Sequence, residues 1–497
     1  MFLEIIYSLF LSFILVFLLL KIKVDGLSRY DITFAFLIKG IASLIFIYIF
    51  TYYYGIGYLY FDSGVYISDA KILNEVFYKS PINYLKLLTG IGENTDIIHT
   101  HLNQTGIWSQ PNSILKDDAK NVIRINSIIH FFSFGSIYIH FLVFNLLSLF
   151  GIVQLFLFFK SYIKFNNRIF FYILILTPSF LFWSSGVLKE PLVIFSYGIF
   201  FYFLRKEFKI RSLKYIFLIV SLFIIFNFKA YIFISLLFGL SFLFLAKYVL
   251  KKFNLPFILC IHIGLILIFS FCFKPVVNHF TKIVTEKQFD FNNITKGGIY
   301  IRNISDKYTY NIPISEYKNI QISGDSLVFI EKCHVFGMYR VAEKNIQKMT
   351  LPADTSKWYY IMSTWTKSNS YIEPSLILYS KKQLIKNIPI SLVNSLLRPS
   401  WNDPGPKFKV LTIIETYLVF AFLILAFIKR RKLNRNEKIL VITLLQFVII
   451  LSLFIGWTTP VFGAIVRYRI FTYLGIFLIS FIIIKPFDQW KIKKNIS

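Results

Sequence analysis

The feature that most constrains this chain is a series of apolar runs, each about as long as a bilayer is thick, separated by connectors of two alternating kinds. Runs able to cross a hydrocarbon core of ~30 Å lie at roughly 2–20, 32–54, 136–159, 169–185 and 190–204. Others lie at 213–228, 230–248, 255–273, 410–428, 438–456 and 466–484. In lipid a helix satisfies its own backbone polar groups, so such a chain folds as a helical membrane bundle. About eleven transmembrane helices are predicted. The runs at 169–185 and 190–204 are near the lower length limit, so those helices are short or the turn between them dips inward.

The connectors explain the charge. A net charge of +29 would point to nucleic acid in a soluble protein, but its placement argues otherwise. Basic residues gather in alternate connectors: Lys21, Lys23 and Arg29; Lys160, Lys164 and Arg168; Arg205, Lys206, Lys209, Arg211 and Lys214. The series continues with Lys247, Lys251 and Lys252, then Lys429 to Arg435, then Lys485, Lys491, Lys493 and Lys494. This is the positive-inside pattern, so the charge reports topology and no nucleic-acid partner is expected. Eleven spans put the N-terminus outside and the C-terminus inside the cell's cytoplasmic (inner) membrane. The 58 Phe and 31 Tyr suit a surface facing the lipid bilayer. Cys260, Cys272 and Cys333 form no disulfide or metal pattern. The first run has no preceding Lys or Arg and no small-residue cleavage site, and reads as a retained helix.

Two long segments fall outside. Residues 55–126 mix acids and bases and hold amphipathic stretches such as 72–88. Residues 275–409 contain strand-like pieces at 299–304, 308–314, 326–331 and 358–366, which predict a small β-rich domain at about 290–380. The expected organisation is an extra N-terminal helix and cytoplasmic loop (1–31), a membrane core (32–274) with its first external loop at 55–126, the extracytoplasmic segment (275–409), and a three-helix segment with a basic tail (410–497). The fold class is thus an all-α polytopic membrane protein with a small β-rich extracytoplasmic domain inserted before the last three helices. In that domain Trp358, Tyr359, Tyr360 and Trp365 either stack on sugars or, as favoured here, fill the core.

Ionisable groups near the outer membrane face are functional candidates by default. Asp62, just after the second run, suits a general base or the N-cap of a following helix; Asp69 is its understudy. Lys189 and Glu190, in the turn Trp183–Pro191, read as a phosphate-binding lysine steadied by an acid or as an ion pair closing a hairpin. Arg398, beside Trp401, offers a fork for two phosphate oxygens or an interfacial anchor. Arg467 and Arg469 stand where Lys and Arg are otherwise scarce, so they meet an anion or pair with outer acids. Arg124, Asn126 and His130 lead into the third run, with His140, Asn145 and Gln154 along it. Lys229 sits in a tight outer turn, and Lys39 is able to snorkel to the inner face. Together, the carboxylates Asp62, Asp69 and Glu190 and the bases Arg124, Lys189, Arg398, Arg467 and Arg469 suit group transfer from a lipid-linked phosphate. The bases would stabilise the departing phosphate while a carboxylate activates the acceptor hydroxyl. No HExxH, P-loop or GxGxxG in a strand–helix context occurs, so no cofactor and no metal are expected.

On these residues the layout resembles the GT-C superfamily of polytopic membrane glycosyltransferases, of the bacterial envelope-polysaccharide type. The rising span 32–54, the acid Asp62 and the loop running to Arg124 match its start. Arg124-Ile125-Asn126 leading to Phe134-Gly135-Ser136, the Trp183–Pro191 turn and Gly463–Arg469 are similar to segments of such proteins. The likeness covers roughly 32–275 and 390–485. It implies a polyprenyl-phosphate-linked sugar donor, a glycan or lipid acceptor, Asp62 as base, and Arg467, Arg469, Arg398 and Lys189 around the phosphate. The chain departs from the pattern in its extra first helix, in Ser63 where a second acid would follow Asp62, and in the late position of the β-rich segment. The competing expectations are an O-antigen-type polymerase or ligase acting on undecaprenyl-diphosphate glycans, and a transporter of lipid-linked glycans.

Overall fold

A computed structural model describes residues 2–108, 117–205, 213–302, 308–339 and 346–486. The basic stretch 206–212 and the tail residues Lys491, Lys493 and Lys494 lie outside them. The chain divides into two compact units: residues 1–239, 421–444 and 474–497 form the first, and 240–420 with 445–473 the second. These units cut across the segments drawn from hydropathy, because helices near 240, 420, 444 and 473 run from one unit into the other.

The helices in chain order are α1 (Phe2–Leu19), α2 (Arg29–Tyr48), α3 (Phe61–Lys79), α4 (Pro81–Thr89), α5 (Thr95–His101), α6 (Asp118–Ser133) and α7 (Ile137–Phe159). There follow α8 (Asn167–Leu176), α9 (Pro178–Trp183), α10 (Lys189–Leu204), α11 (Lys214–Phe228), α12 (Ala230–Phe244), α13 (Leu255–Cys272) and α14 (Lys274–Lys296). After the sheet come α15 (Lys381–Lys386), α16 (Ile388–Leu396), α17 (Lys409–Ile428), α18 (Arg435–Thr458), α19 (Phe462–Tyr468) and α20 (Ile470–Ile483).

Six of these are long and apolar enough to cross a membrane: Arg29–Tyr53 (α2 with its terminal π turn), α7, Ala230–Val249 (α12 likewise extended), α13, α17 and α18. A seventh span results if α19 and α20, bent by 45°, are one crossing. This is a membrane-spanning helical protein. The other apolar runs make shorter helices. The run at 169–185 is interrupted at Pro178, which cannot donate to the helix ladder, and yields α8 and α9. The amphipathic stretch 72–88 is likewise two helices, because Ser80 caps α4 and Pro81 takes its first position.

In the first unit α7 and α10 touch backbone to backbone. A Cβ on Gly198 would lie 2.0 Å from the Gly151 carbonyl oxygen, and one on Gly151 would lie 2.4 Å from that of Ile194. Such close approach lets helices associate in lipid through van der Waals contact, where no hydrophobic effect drives them together.

The second unit carries a seven-stranded antiparallel sheet of β1 (Gly298–Arg302), β2 (Tyr308–Ile312), β3 (Ile320–Ser323), β4 (Ser326–Phe329), β5 (Cys333–Tyr339), β6 (Ile346–Leu351) and β7 (Asp354–Trp365). Their spatial order is β3-β4-β7-β1-β2-β5-β6. Alternate residues form its core, including Ile299, Ile301, Ile312, Leu327, Phe329, Val335 and Tyr359. The same alternation corrects the aromatic expectation on β7: Tyr359 fills the core, but Trp358 and Tyr360 point to the other face and are 50% and 56% exposed.

Candidate functional site

The loop-and-helix segment after α2 builds the first cluster. Helix α3 begins at Phe61 with Tyr60 in the cap position and no side-chain cap bond, so Asp62 lies inside the first turn and is not the N-cap. There a carboxylate meets the positive end of the helix dipole. The two residues after it are fixed. Ser63 Oγ donates to the Val187 carbonyl at 3.0 Å, and a Cβ on Gly64 would come within 2.0 Å of the Leu59 carbonyl oxygen. The half-buried Asp62 is therefore held at a set position beside the turn that precedes α10.

Asp69 is committed elsewhere. Its carboxylate accepts the backbone N–H groups of Gly106 (2.9 Å) and Ile107 (3.0 Å), clamping that loop to α3. Burial raises its pKa above the usual carboxylate value, and the two amide bonds pull part of the way back.

Beyond the clamp lies a charged core that sequence reasoning missed. The fully buried Glu93 carboxylate accepts from Trp108 Nε1 (2.8 Å), Lys120 Nζ (3.3 Å) and Arg124 Nη2 (3.1 Å). Both cations also lie over the Trp108 ring, at 5.0 and 5.1 Å from its centroid. Arg124 further donates Nε to the Leu87 carbonyl and Nη1 to Asn121 Oδ1. Its fork is thus committed to protein oxygens, as suits an anchor for the loop. Lys120 and Arg124 stand one turn apart on α6, a spacing readable in the sequence. Glu93 and Trp108 lie in loops, where no periodicity marks them.

Lys189 and Glu190 do not pair with each other. Lys189, half-buried at the start of α10, meets Asp118 at 2.7 Å. Glu190 is buried and meets Lys229 at 3.2 Å, so Lys229 is not alone in its turn. Below them, Ser184–Leu188 is fastened to α2. The Lys39 amine donates to Ser184 O (2.9 Å), Ser184 Oγ (2.7 Å) and Ser185 Oγ (3.2 Å). Ser43 Oγ donates to the Ser185 carbonyl, Asn145 Nδ2 to Ser43 Oγ, and Ser148 Oγ to the Ser184 carbonyl. Lys39 is fully buried and does not snorkel. Gly186 packs on the Phe46 ring, so the turn stops about 10 Å short of Tyr53 at 1.5 Å per residue. Of the two expectations for these runs, short helices are found: α8, α9 and α10 have 10, 6 and 16 residues.

The second unit holds the arginine cluster. Arg398 is bonded bidentately to Asp403 through Nε (3.0 Å) and Nη2, and its Nη1 reaches Asn394 Oδ1 (3.0 Å). Burial alone would raise the Asp403 carboxyl, but the Arg398 guanidinium and the Ser400 amide and hydroxyl hold it below its usual value. Arg469 is fully buried. It donates to the Arg398 carbonyl and, at 3.1 Å, to Thr416 Oγ1, while its Nε has no bonding partner. Among the described residues no carboxylate forms an ion pair with it. Arg467 is half-buried at the end of α19.

No group of three His, Cys, Asp or Glu side chains able to hold a metal occurs among the described residues. The chain matches no protein-family model, no curated protein and no solved structure.

Proposed function

We propose that this chain is a membrane glycosyltransferase that moves a sugar from a polyprenyl-phosphate donor to an envelope glycan or lipid acceptor. The reading takes eleven spans, N-terminus outside and C-terminus inside: the six long helices, the bent pair, and the shorter α1, α8 with α9, α10 and α11. The sheet domain then faces away from the cytoplasm, and transfer takes place at the outer face of the cytoplasmic membrane.

The observation that carries the reading is the placement of Asp62, half-buried in the first turn of α3, with the two residues after it, Ser63 and Gly64, fixed beside the turn that precedes α10. A carboxylate so placed suits a general base. The acceptor hydroxyl passes its proton to Asp62 as its oxygen bonds to the anomeric carbon, and the bond from that carbon to the phosphate oxygen breaks with its electron pair leaving on phosphate. Lys189, with the N-terminal dipole of α10, supplies positive charge for that phosphate. No cofactor enters the reading.

A second reading draws on Arg469. A buried guanidinium with no carboxylate partner among the described residues favours an arginine-centred polymerase or ligase acting on undecaprenyl-diphosphate glycans. Transport has less support, because the polar side chains midway along α2 and α7 are bonded to one another and to the Ser184–Ser185 turn.

Sugar transfer by the purified protein in lipid, with a panel of polyprenyl-phosphate sugars, decides between them. Transfer by wild type and none by folded Asp62→Asn supports the base mechanism. Transfer that survives in Asp62→Asn but is lost in folded Arg469→Ala supports the arginine-centred one. No transfer from any monophosphate donor sinks the first reading.

A further inference from the structure

We propose that the first unit binds an anionic phospholipid where α7, α17 and α20 end and α18 begins, its phosphate on exposed bases and its acyl chains against α17. The proposal rests on the membrane-spanning fold and not on the activity proposed above. The site is built around one knot of bonds. Arg431, just past α17, donates Nη1 and Nη2 to the Glu437 carboxylate at 2.9 Å each, and Nη2 also to the Tyr162 carbonyl past α7 at 2.9 Å. Its backbone amide donates to the Ile483 carbonyl at the end of α20 at 2.8 Å. Glu437 takes the Asn434 amide as well, so the acid at the centre is spent within the protein. Two neighbouring bases are spent too, Lys160 on Asp25 and Arg205 on the Leu157 carbonyl.

Four further bases surround the knot, each within two residues of Tyr162, Arg431 or Glu437: Lys164, Arg430, Lys432 and Lys438. All four are exposed. Lys164 is near enough to act on the Glu437 charge. None of the four forms an ion pair or a side-chain hydrogen bond among the described residues, because the carboxylates there, Asp25 and Glu437, already serve Lys160 and Arg431. This rim therefore carries positive charge that the described residues do not balance.

The surface beside the bases selects what balances them. Ile424, Phe427 and Ile428 share one face at the end of α17 and are 59%, 53% and 70% exposed. Helix α17 is long and apolar enough to cross a membrane, and it ends two residues before Arg430. The uncovered apolar face and the unpaired bases are thus contiguous. A soluble anion would meet the bases and leave the apolar face bare. A phospholipid covers that face with its acyl chains while its phosphate meets the bases, and basic groups at a membrane surface attract anionic head groups. The four bases lie on two connectors, after α7 and after α17, so a head group with two phosphates serves them better than one with a single phosphate.

The full-length protein in detergent is titrated with cardiolipin, phosphatidylglycerol or phosphatidylcholine, and bound lipid is counted by native mass spectrometry. Saturable binding of cardiolipin at least about tenfold tighter than phosphatidylcholine is expected, with phosphatidylglycerol between them. Excess inorganic phosphate should not displace the lipid, because it cannot cover the apolar face. Arg430→Gln with Lys432→Gln should weaken cardiolipin by about tenfold or more. Lys251→Gln with Lys252→Gln removes the same charge from the exposed connector before α13 and should leave binding unchanged. If the first pair does not fold, Lys164→Gln alone, on the other connector, should weaken cardiolipin by about fivefold. The proposal is overturned if phosphatidylcholine binds as tightly as both anionic lipids, or if inorganic phosphate displaces them. It is equally overturned if the variants at Arg430, Lys432 and Lys164 bind like wild type, or if the Lys251 and Lys252 pair weakens binding as much.

Discussion

The amine of Lys39, near the midpoint of α2, donates to both the carbonyl and the hydroxyl oxygen of Ser184 in the turn before α10. A third bond to Ser185 Oγ completes the three donors of the ammonium group. No carboxylate pairs with it among the described residues. The turn that leads into Lys189 is thereby set by a residue far away in sequence, and Ser63 ties the start of α3 to the same turn through Val187.

Lys39→Met keeps the volume of the side chain and removes its donors. The oxygens of Ser184 and Ser185 then lose their partners, and stability should fall by about 1–3 kcal/mol. Chemical unfolding in detergent measures this. An unchanged midpoint would show that the amine does not hold the turn.

The Glu93 carboxylate is shared by Lys120, Arg124 and the Trp108 indole. Glu93→Ala leaves two buried cations facing each other and should destabilise the first unit by about 3–5 kcal/mol. Glu93→Gln, which keeps an acceptor, should lose less. Equal losses from the two substitutions would count against the charge argument.

Asp69 gives a pH signature. Burial sets its folded pKa above the usual 3.8, so the folded chain holds this proton more tightly than the unfolded chain. Stability from this group therefore falls as pH rises from 3.8 through the folded value, and is level above it. Asp69→Asn should remove that slope from unfolding curves recorded between about pH 4 and neutrality. A slope that persists in the variant must arise from another group.

Gly198→Ala places a methyl group against the Gly151 carbonyl. The contact between α7 and α10 must open, and a loss above about 3 kcal/mol is expected, among the larger effects of single substitutions. Gly264→Ala in α13, where an added Cβ meets nothing within 4 Å, should be neutral or slightly stabilising. Similar behaviour of the two variants in thermal unfolding would refute close packing as the reason for Gly198.

Much of the fold is legible along the chain. Six long apolar helices stand where hydropathy puts them, and four of the seven strands coincide with the alternating pieces. Strands β3, β5 and β6 were missed because each is short or broken by Gly and polar residues, so that its pairing comes from neighbouring strands and not from its own pattern. The site was less legible. Asp62, Lys189 and Arg467 were found as ionisable residues near apolar runs, but Glu93, Trp108 and Lys120 were not.

The sequence by itself determined that the chain is a helical membrane protein with a β-rich insertion, because burial in lipid acts on local runs and strand alternation acts on near neighbours. It also marked which ionisable residues lie near the ends of those runs. Only the tertiary structure decided which charge meets which. Lys189 and Glu190 are adjacent in the chain yet pair with Asp118 and Lys229, and Lys39 is buried on a serine turn rather than reaching for water. The partner of a buried charge is set by which helices pack together, and that long-range contact leaves no period in the sequence for a local reading to detect.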